Sequence, residues 1–289
     1  MITDGDVERW LREDVGHHDV TNQVPGDTEG RLVAKEGGAV AGLDAARAVF
    51  EYLGCEVRIP VDEGDRIEVG DAVLRVDGPA REVLRGERVA VNLVGHASGI
   101  ATKTRRAVEA AREAEAAEDS SGASGDAASS AAADGVRIAA TRKTTPGLRG
   151  VEKRAVAAAG GDTHRLDLSH MVMVKDNHVA EMGLDGAISH FRQRASFATR
   201  LDVEVESPDD APRAAEAGAD VVLLDNMTPA ETERAVELVA ATESEALTEA
   251  SGGIAVADVP DYAATGVDVI SMGSLTHSAP ALDLSFRIG

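Results

Sequence analysis

The chain has 289 residues, 43% hydrophobic and 28% charged, enough for one large or two ordinary globular domains with a substantial core. Lys+Arg 29 against Asp+Glu 51 leaves a formal net charge of −22, which opposes nucleic acid and anionic membranes as general partners. No apolar run approaches the ~20 residues of a membrane span and the first residues lack a signal peptide's basic and apolar regions, so the sequence predicts a cytoplasmic protein.

Lysine occurs only at positions 35, 103, 143, 153 and 175. A carboxylate-dominated, lysine-poor surface resembles that of proteins from salt-loving organisms, because concentrated salt screens its self-repulsion. The single cysteine, Cys55, has no internal disulfide partner and is expected as a small buried apolar residue.

In chain order, the first ~105 residues follow the grammar of a small sandwich domain. VDEGDRIEVGDAVLRVDG (61–78) places paired Gly-Asp turns between short alternating strands, as in domains that carry lipoyl or biotinyl groups. No lysine lies between 36 and 102 to bear such a group, so the shape is expected without the carrier role. Residues 87–111 then show an apolar helical period. Residues 113–134 contain only Ala, Ser, Gly, Asp and Glu, and are expected to be a disordered surface insertion, since they offer little apolar surface to offset ordering entropy.

Beyond the insertion, short β-rich runs appear at VRIAAT (136–141), MVMV (171–174), LDVEVE (201–206), DVVLLD (220–225), EALTEA (245–250) and VDVISM (267–272). Helical patterns separate them, two of which, SPDDAPRAAEAG and TPAETERAVELVAAT, begin with a Ser or Thr cap and a first-turn Pro. Such repetition predicts a parallel sheet. Each strand ends in polar residues: Arg142 and Lys143, Lys175, Glu204 and Glu206, Asp225, Ser251-Gly252-Gly253, and Gly273-Ser274. A β/α barrel gathers such ends at one mouth whereas an open sheet scatters them along a line, so an incomplete barrel of six or seven strands is expected.

Residues 137–175 concentrate Arg137, Arg142, Lys143, Arg149, Lys153, Arg154, Arg165 and Lys175, with His164, His170 and His178 interleaved. A local cationic cluster in an anionic chain points to an anionic small substrate. Glu204 and Asp225 end neighbouring strands, where two carboxylates suit Mg²⁺, vicinal hydroxyls or a developing oxocarbenium cation. The glycines at 252, 253 and 273 lie where barrels build phosphate sites from backbone N–H groups.

The run TRKTTPGLRGVEKRAVAAAGGDTHRLDLSHMVMVKDNH (141–178) closely resembles the signature of the quinolinate phosphoribosyltransferase family, the carboxylating nicotinate-nucleotide pyrophosphorylases. Further matches in family order are EDVGHHDVT (13–21), ERVAVNLVGHASGIAT (87–102), VEVES (203–207), VVLLDNM (221–227), EASGGI (249–254) and SMGSLTHSAPALDLS (271–285). The resemblance implies a pentosyltransferase of NAD biosynthesis, joining quinolinate and phosphoribosyl pyrophosphate, with Mg²⁺, into nicotinate mononucleotide, pyrophosphate and CO₂. It implies an N-terminal α/β sandwich over 1–107, an incomplete β/α barrel over 108–275, and a segment 276–289 that returns to the first domain. It assigns Arg142, Lys143, His164, Arg165 and Lys175 to the carboxylates and nearby phosphates, and Glu204 and Asp225 to the ribose and metal; Lys143, Lys175, Glu204 and Asp225 are the expected catalytic set. Ser251, Gly252, Gly253, Gly273 and His277 match the phosphate-binding end. Arg88 matches an arginine that reaches a neighbouring subunit's site, which implies a homodimer or higher even oligomer. Ala140 stands where the family often has Asp, and the acidic insertion is longer than usual.

Two rival readings remain. Lys175 at a barrel strand end fits a Schiff-base lyase or aldolase, though that leaves the paired acids without a role. The other is a molybdenum-transport-associated relative within the same family.

Overall fold

The computed structural model describes residues 2–121 and 135–289. In chain order its elements are α1 (Asp4–Val15), β1 (Asp27–Ala34), β2 (Gly38–Ala39), α2 (Leu43–Tyr52), β3 (Glu56–Arg58), β4 (Arg66–Ile67), β5 (Ala72–Pro79), α3 (Ala80–Ser121), β6 (Arg137–Ala140), α4 (Arg149–Ala158), β7 (Val172–Val174), α5 (Asp176–Met182), α6 (Leu184–Arg192), β8 (Leu201–Val205), α7 (Ala211–Glu216), β9 (Val221–Asp225), α8 (Pro229–Ala240), β10 (Leu247–Ser251), α9 (Val259–Ala263), β11 (Val269–Met272), α10 (Ser274–His277) and β12 (Leu284–Ile288). They form two compact units: Met1–Arg105 with Thr144–Gly160 and Leu275–Gly289, and Arg106–Lys143 with Gly161–Ser274.

The first unit is built on a four-stranded sheet of order β12-β1-β5-β3. The Gly-Asp repeats form the same turn twice. Asp65 accepts from the Asp62 amide and Asp71 from the Glu68 amide, while Gly64 and Gly70 take the left-handed backbone (φ 92° and 99°) that only glycine adopts freely. One face of the sheet packs Leu32, Leu74 and Val76 against Leu43, Ala46 and Phe50 of α2 and Val83, Ala90 and Val94 of α3. Cys55 is buried in this core. Burial, helped by the charges of Glu82 and Asp77, pushes its thiol up to about 11, the inert behaviour of a small apolar residue.

The motif LVGHASGIAT supplies α3 with a face of small residues on which two extended segments lie. Ser98 Oγ accepts from the Ala41 amide at 3.0 Å and Thr102 Oγ1 from the Ala39 amide at 2.9 Å. On the same helix Gly95 O accepts from the Leu282 amide, and a Cβ on Gly99 would stand 2.0 Å from the Pro280 carbonyl oxygen. The close approach therefore requires glycine.

Two expected boundaries shift. Residues 144–160 belong to the first unit rather than the barrel domain, because Glu152 binds His96 at 2.8 Å, Arg154 binds Asp44 at 2.9 Å and Arg105 caps the carbonyl of Ala159 at 3.1 Å. Residues 113–121, expected as part of a disordered insertion, continue α3 as helix. Their low apolar content bears on burial, but Ala and Glu are strong helix formers whether or not they are buried. Residues 122–134 lie outside the described residues.

The second unit is a parallel six-stranded sheet of order β6-β11-β10-β9-β8-β7. All six strands fall where the apolar runs predict them. The caps do as well: Ser207 accepts from the Asp209 amide ahead of α7, and Thr228 forms a capping box with Glu231 at the start of α8. Alternation sends Val203, Val205, Val222 and Leu224 outward to pack with Ile188, Ala211, Ala214 and Ala235 of the surrounding helices. The first and last strands of the sheet, β6 and β7, do not pair, so the barrel is incomplete. A stub at Asp162 pairs with β6 at Ala139, with the Ala140 amide donating to Asp162 O at 2.9 Å.

Replacing Gly99 by Ala forces the Pro280 carbonyl aside, and is expected to destabilise the protein by about 2 to 4 kcal/mol, measured as a lowered denaturant midpoint with unchanged slope.

Candidate active site

The alternation that buries valines outside sends every second residue of the strands inward. On β8 these are Asp202 and Glu204, on β9 Leu223 and Asp225, on β10 Glu249 and Ser251, in a register that sets Glu204 beside Leu223 and Ser251 beside Asp225. Parallel strands covered on both faces are ordinarily apolar throughout. Acids at the inward positions mark this interior as functional.

Cations answer them. Lys175, directly after β7, donates to Glu204 Oε2 at 2.7 Å, with side chains 44% and 12% exposed. His164 and Arg165 follow the Asp162 stub that pairs with β6. His164 takes a left-handed backbone (φ 50°), and its Nε2 lies 3.0 Å from Glu249 Oε2 and 4.0 Å from Asp202 Oδ2. Arg165 donates to Met173 Sδ at 2.9 Å. Burial first, and then the like charge of Arg142, lower the Arg165 pKa, while Asp202, Glu249 and Glu204 oppose that shift. Arg142 and Arg165 thus act on each other as neighbours in this unit. Lys143, next along the chain, is exposed, with its amide donating to Thr141 Oγ1 at 3.1 Å.

Asp225 closes the acidic side. Burial, and then the charge of Glu204, raise its pKa, while Asn226 Nδ2 donates to its Oδ2 at 2.6 Å. Asn226 is itself left-handed (φ 56°), and its amide donates to the Ser251 carbonyl at 2.9 Å. This explains Gly252: with φ 107°, a Cβ there would meet Asn226 Oδ1 at 2.4 Å. Gly253 (φ 67°) has open space at its Cβ position, and Gly273 directly follows β11.

Of the expected site residues, the second unit brings together Arg142, His164, Arg165, Lys175, Glu204, Asp225, Ser251, Gly252, Gly253 and Gly273, with Lys143 next to Arg142. Arg88 and His277 belong to the first unit. Arg88 is 60% exposed on α3, its nearest acid Glu87 Oε1 at 3.9 Å, and His277 is exposed at the end of α10. Ala140, in the position where the resemblance often has Asp, is fully buried.

Sequence reasoning missed Asp202 and Glu249, both nearly inaccessible. Burial, reinforced by Glu249, raises the Asp202 carboxyl well above its ordinary range, and neither of its oxygens has a hydrogen-bond partner among the described residues. The signal was present in LDVEVE, where acids occupy alternate positions of an apolar strand. Ligand atoms of His164, Asp202 and Glu249 lie within 4.8 Å of one another, which admits a metal ion. The neighbouring Arg165 guanidinium already supplies positive charge there, and an imidazole suits Mg²⁺ less than the carboxylate pair Glu204 and Asp225.

Residues 19–98 match the family model for the quinolinate phosphoribosyl transferase N-terminal domain, and residues 122–287 match the C-terminal domain. The chain is 42% identical to a probable carboxylating nicotinate-nucleotide pyrophosphorylase of Methanothermobacter thermautotrophicus, over 98% of this chain and 97% of that one. The chain belongs to the quinolinate phosphoribosyl transferase family. The carboxylating nicotinate-nucleotide pyrophosphorylase of Homo sapiens, another relative, is 41% identical over 98% of this chain and 90% of its own length. NadC from Streptococcus pyogenes superposes with a TM-score of 0.86 at 36% identity, covering 100% of this chain and 98% of that chain. Family membership thus embraces both units, including the barrel interior described above.

A carboxyl with a raised native pKa holds its proton to higher pH in the folded than in the unfolded chain, so its contribution to stability is present at low pH and lost as pH rises through that pKa. Asp202→Asn, which cannot ionise, is therefore expected to gain stability relative to the wild type as pH rises from about 4 towards 7. Paired denaturant titrations across that range measure the difference.

Proposed function

We propose that the chain transfers the phosphoribosyl group of phosphoribosyl pyrophosphate to the ring nitrogen of quinolinate, with loss of CO₂, to give nicotinate mononucleotide and pyrophosphate in NAD biosynthesis. The observation that carries this reading is the juxtaposition, in one barrel interior, of Arg142, Arg165 and Lys175 with Glu204 and Asp225. The cations match a small dianion that a chain of −22 would otherwise repel. The acids match the cation-like ribose centre that forms as pyrophosphate leaves.

In this reading Arg142, Lys143, His164, Arg165 and Lys175 hold the two carboxylates and nearby phosphates, while Ser251, Gly252, Gly253 and Gly273 receive the phosphate end. The ring nitrogen attacks ribose C1 as the C1–oxygen bond breaks toward pyrophosphate, and positioning supplies most of the rate. The nitrogen then carries positive charge. The electron pair of the ring C2–carboxylate bond stays with the ring as CO₂ departs, and C2 takes up a proton. Glu204 and Asp225 fit Mg²⁺: both offer hard oxygen donors, and burial first, then the charge of Glu204, raises the Asp225 pKa, a cost that a cation would relieve. Mg²⁺ there would neutralise charge on pyrophosphate.

No helix of the described residues is long and apolar enough to cross a membrane, and a cytoplasmic location suits a reaction of soluble metabolites. The minimal active assembly is a homodimer in which Arg88 completes the neighbouring subunit's site. The closest rival is a relative of the same family with another substrate. Incubation with quinolinate, phosphoribosyl pyrophosphate and Mg²⁺ decides between them: release of CO₂ with nicotinate mononucleotide supports the proposal, and its absence from folded enzyme overturns it.

Nicotinate lacks one carboxylate and leaves part of the cationic cluster unpaired, so its kcat/KM is expected to fall at least about a thousandfold below that of quinolinate. Arg88→Ala and Lys143→Ala are each expected to abolish turnover. Mixing the two with demonstrated subunit exchange should restore up to about half the site activity in each heterodimer, because one site then keeps both residues. Assay of the mixture measures it, and no rescue would place Arg88 in its own subunit's site.

A further inference from the structure

The outer face of the first unit's sheet carries two rows of charge. Three strands each hold an arginine and an acid two residues apart: Glu29 and Arg31 on β1, Arg75 and Asp77 on β5, Glu56 and Arg58 on β3. The register aligns them across the sheet. Arg287 lies opposite Arg31, Arg31 opposite Arg75, and Arg75 opposite Arg58, while Glu29 lies opposite Asp77 and Asp77 opposite Glu56. The residues between them, Gly30, Val57 and Val76, turn to the other face, where Val57 and Val76 join the core.

Like charges directly opposite one another destabilise an antiparallel pair, and here they recur along two successive rows. No ion pair or side-chain hydrogen bond joins or relieves them among the described residues, and Arg31 Nε is buried without a partner. In a chain with 29 basic residues against 51 acids, four arginines aligned without carboxylate partners are unusual. The two rows stand ~7 Å apart, the rise of two strand residues.

We propose that this face is an isologous interface with a second copy of the chain. A two-fold axis lying between the rows and parallel to them sets each strand antiparallel over its own copy. Arg31 then meets Glu29 of the partner subunit, Arg58 meets Glu56 of the partner subunit, and Arg75 meets Asp77 of the partner subunit, each contact occurring twice as closed two-fold symmetry requires. A polyanion bound to the arginine row would leave the adjacent acids facing it. Only an occupant with the same alternation answers both rows, and the chain itself has it. The interface is independent of the catalytic reading and of Arg88.

The test is a charge exchange at one position, read as mass by sedimentation equilibrium at low salt. Arg75→Asp and Asp77→Arg each set like charges against each other across the axis, and each is expected to weaken this association at least about tenfold. At a concentration between the wild-type and variant dissociation constants, each single variant is expected at a lower mass than the wild type. The double variant Arg75→Asp/Asp77→Arg places opposite charges face to face again and is expected to recover the wild-type mass. Unfolding midpoints of the three variants separate loss of association from loss of fold. Equal masses for the wild type and both single variants would overturn the proposal, as would a double variant as weak as the singles. Inorganic tripolyphosphate provides the competing arm: stoichiometric binding that Arg75→Asp abolishes and the double variant does not recover would assign the face to a polyanion instead.

Discussion

Everything in the second unit depends on how buried carboxylates are neutralised inside a barrel. Asp202, Glu204, Asp225 and Glu249 are brought together by strand alternation, and each would raise the cost of the others in a medium that screens charge poorly. Lys175, His164 and Arg165 offset that cost, two of them directly after the short stub at Asp162 that pairs with β6. Removing either set would leave uncompensated charge, so acid and base are coupled structurally before either meets a substrate.

The glycines near this site have the same logic at the backbone. Gly252 lets the end of β10 approach Asn226, whose left-handed backbone holds its side chain against Asp225. The conformation of one loop therefore fixes the orientation of an acid on the neighbouring strand. Such positions tolerate little change, because a Cβ would displace the hydrogen-bonded neighbour itself.

Much of this was legible in the sequence, and the rest failed for identifiable reasons. The six strands and the Ser207 and Thr228 caps are local signals and fall where they were expected. The charged strand ends also marked most of the residues that the barrel brings together. Asp202 and Glu249 were missed because attention to strand ends overlooks acids buried deeper along a strand, although the alternation of LDVEVE exposes one of them. The membership of 144–160 in the first unit was illegible because it rests on Glu152, His96, Arg154 and Asp44, which are far apart in the chain. Residues 113–121 misled through composition, which reports what a segment can bury and not whether it forms a helix.

The small-residue face of α3 has a consequence for biosynthesis. Gly95 and Gly99 receive residues 280–282, and β12 completes the sheet beside β1, so the core begun by the first hundred residues is closed by the last fifteen. During translation that core stays unfinished until β12 has been made, after all six strands of the barrel sheet. Pairings across such separations are slow to form, and apolar surface left uncovered meanwhile is where aggregation begins. Until β12 is in place, the strong negative charge of the chain would keep copies apart while the first unit waits for that strand.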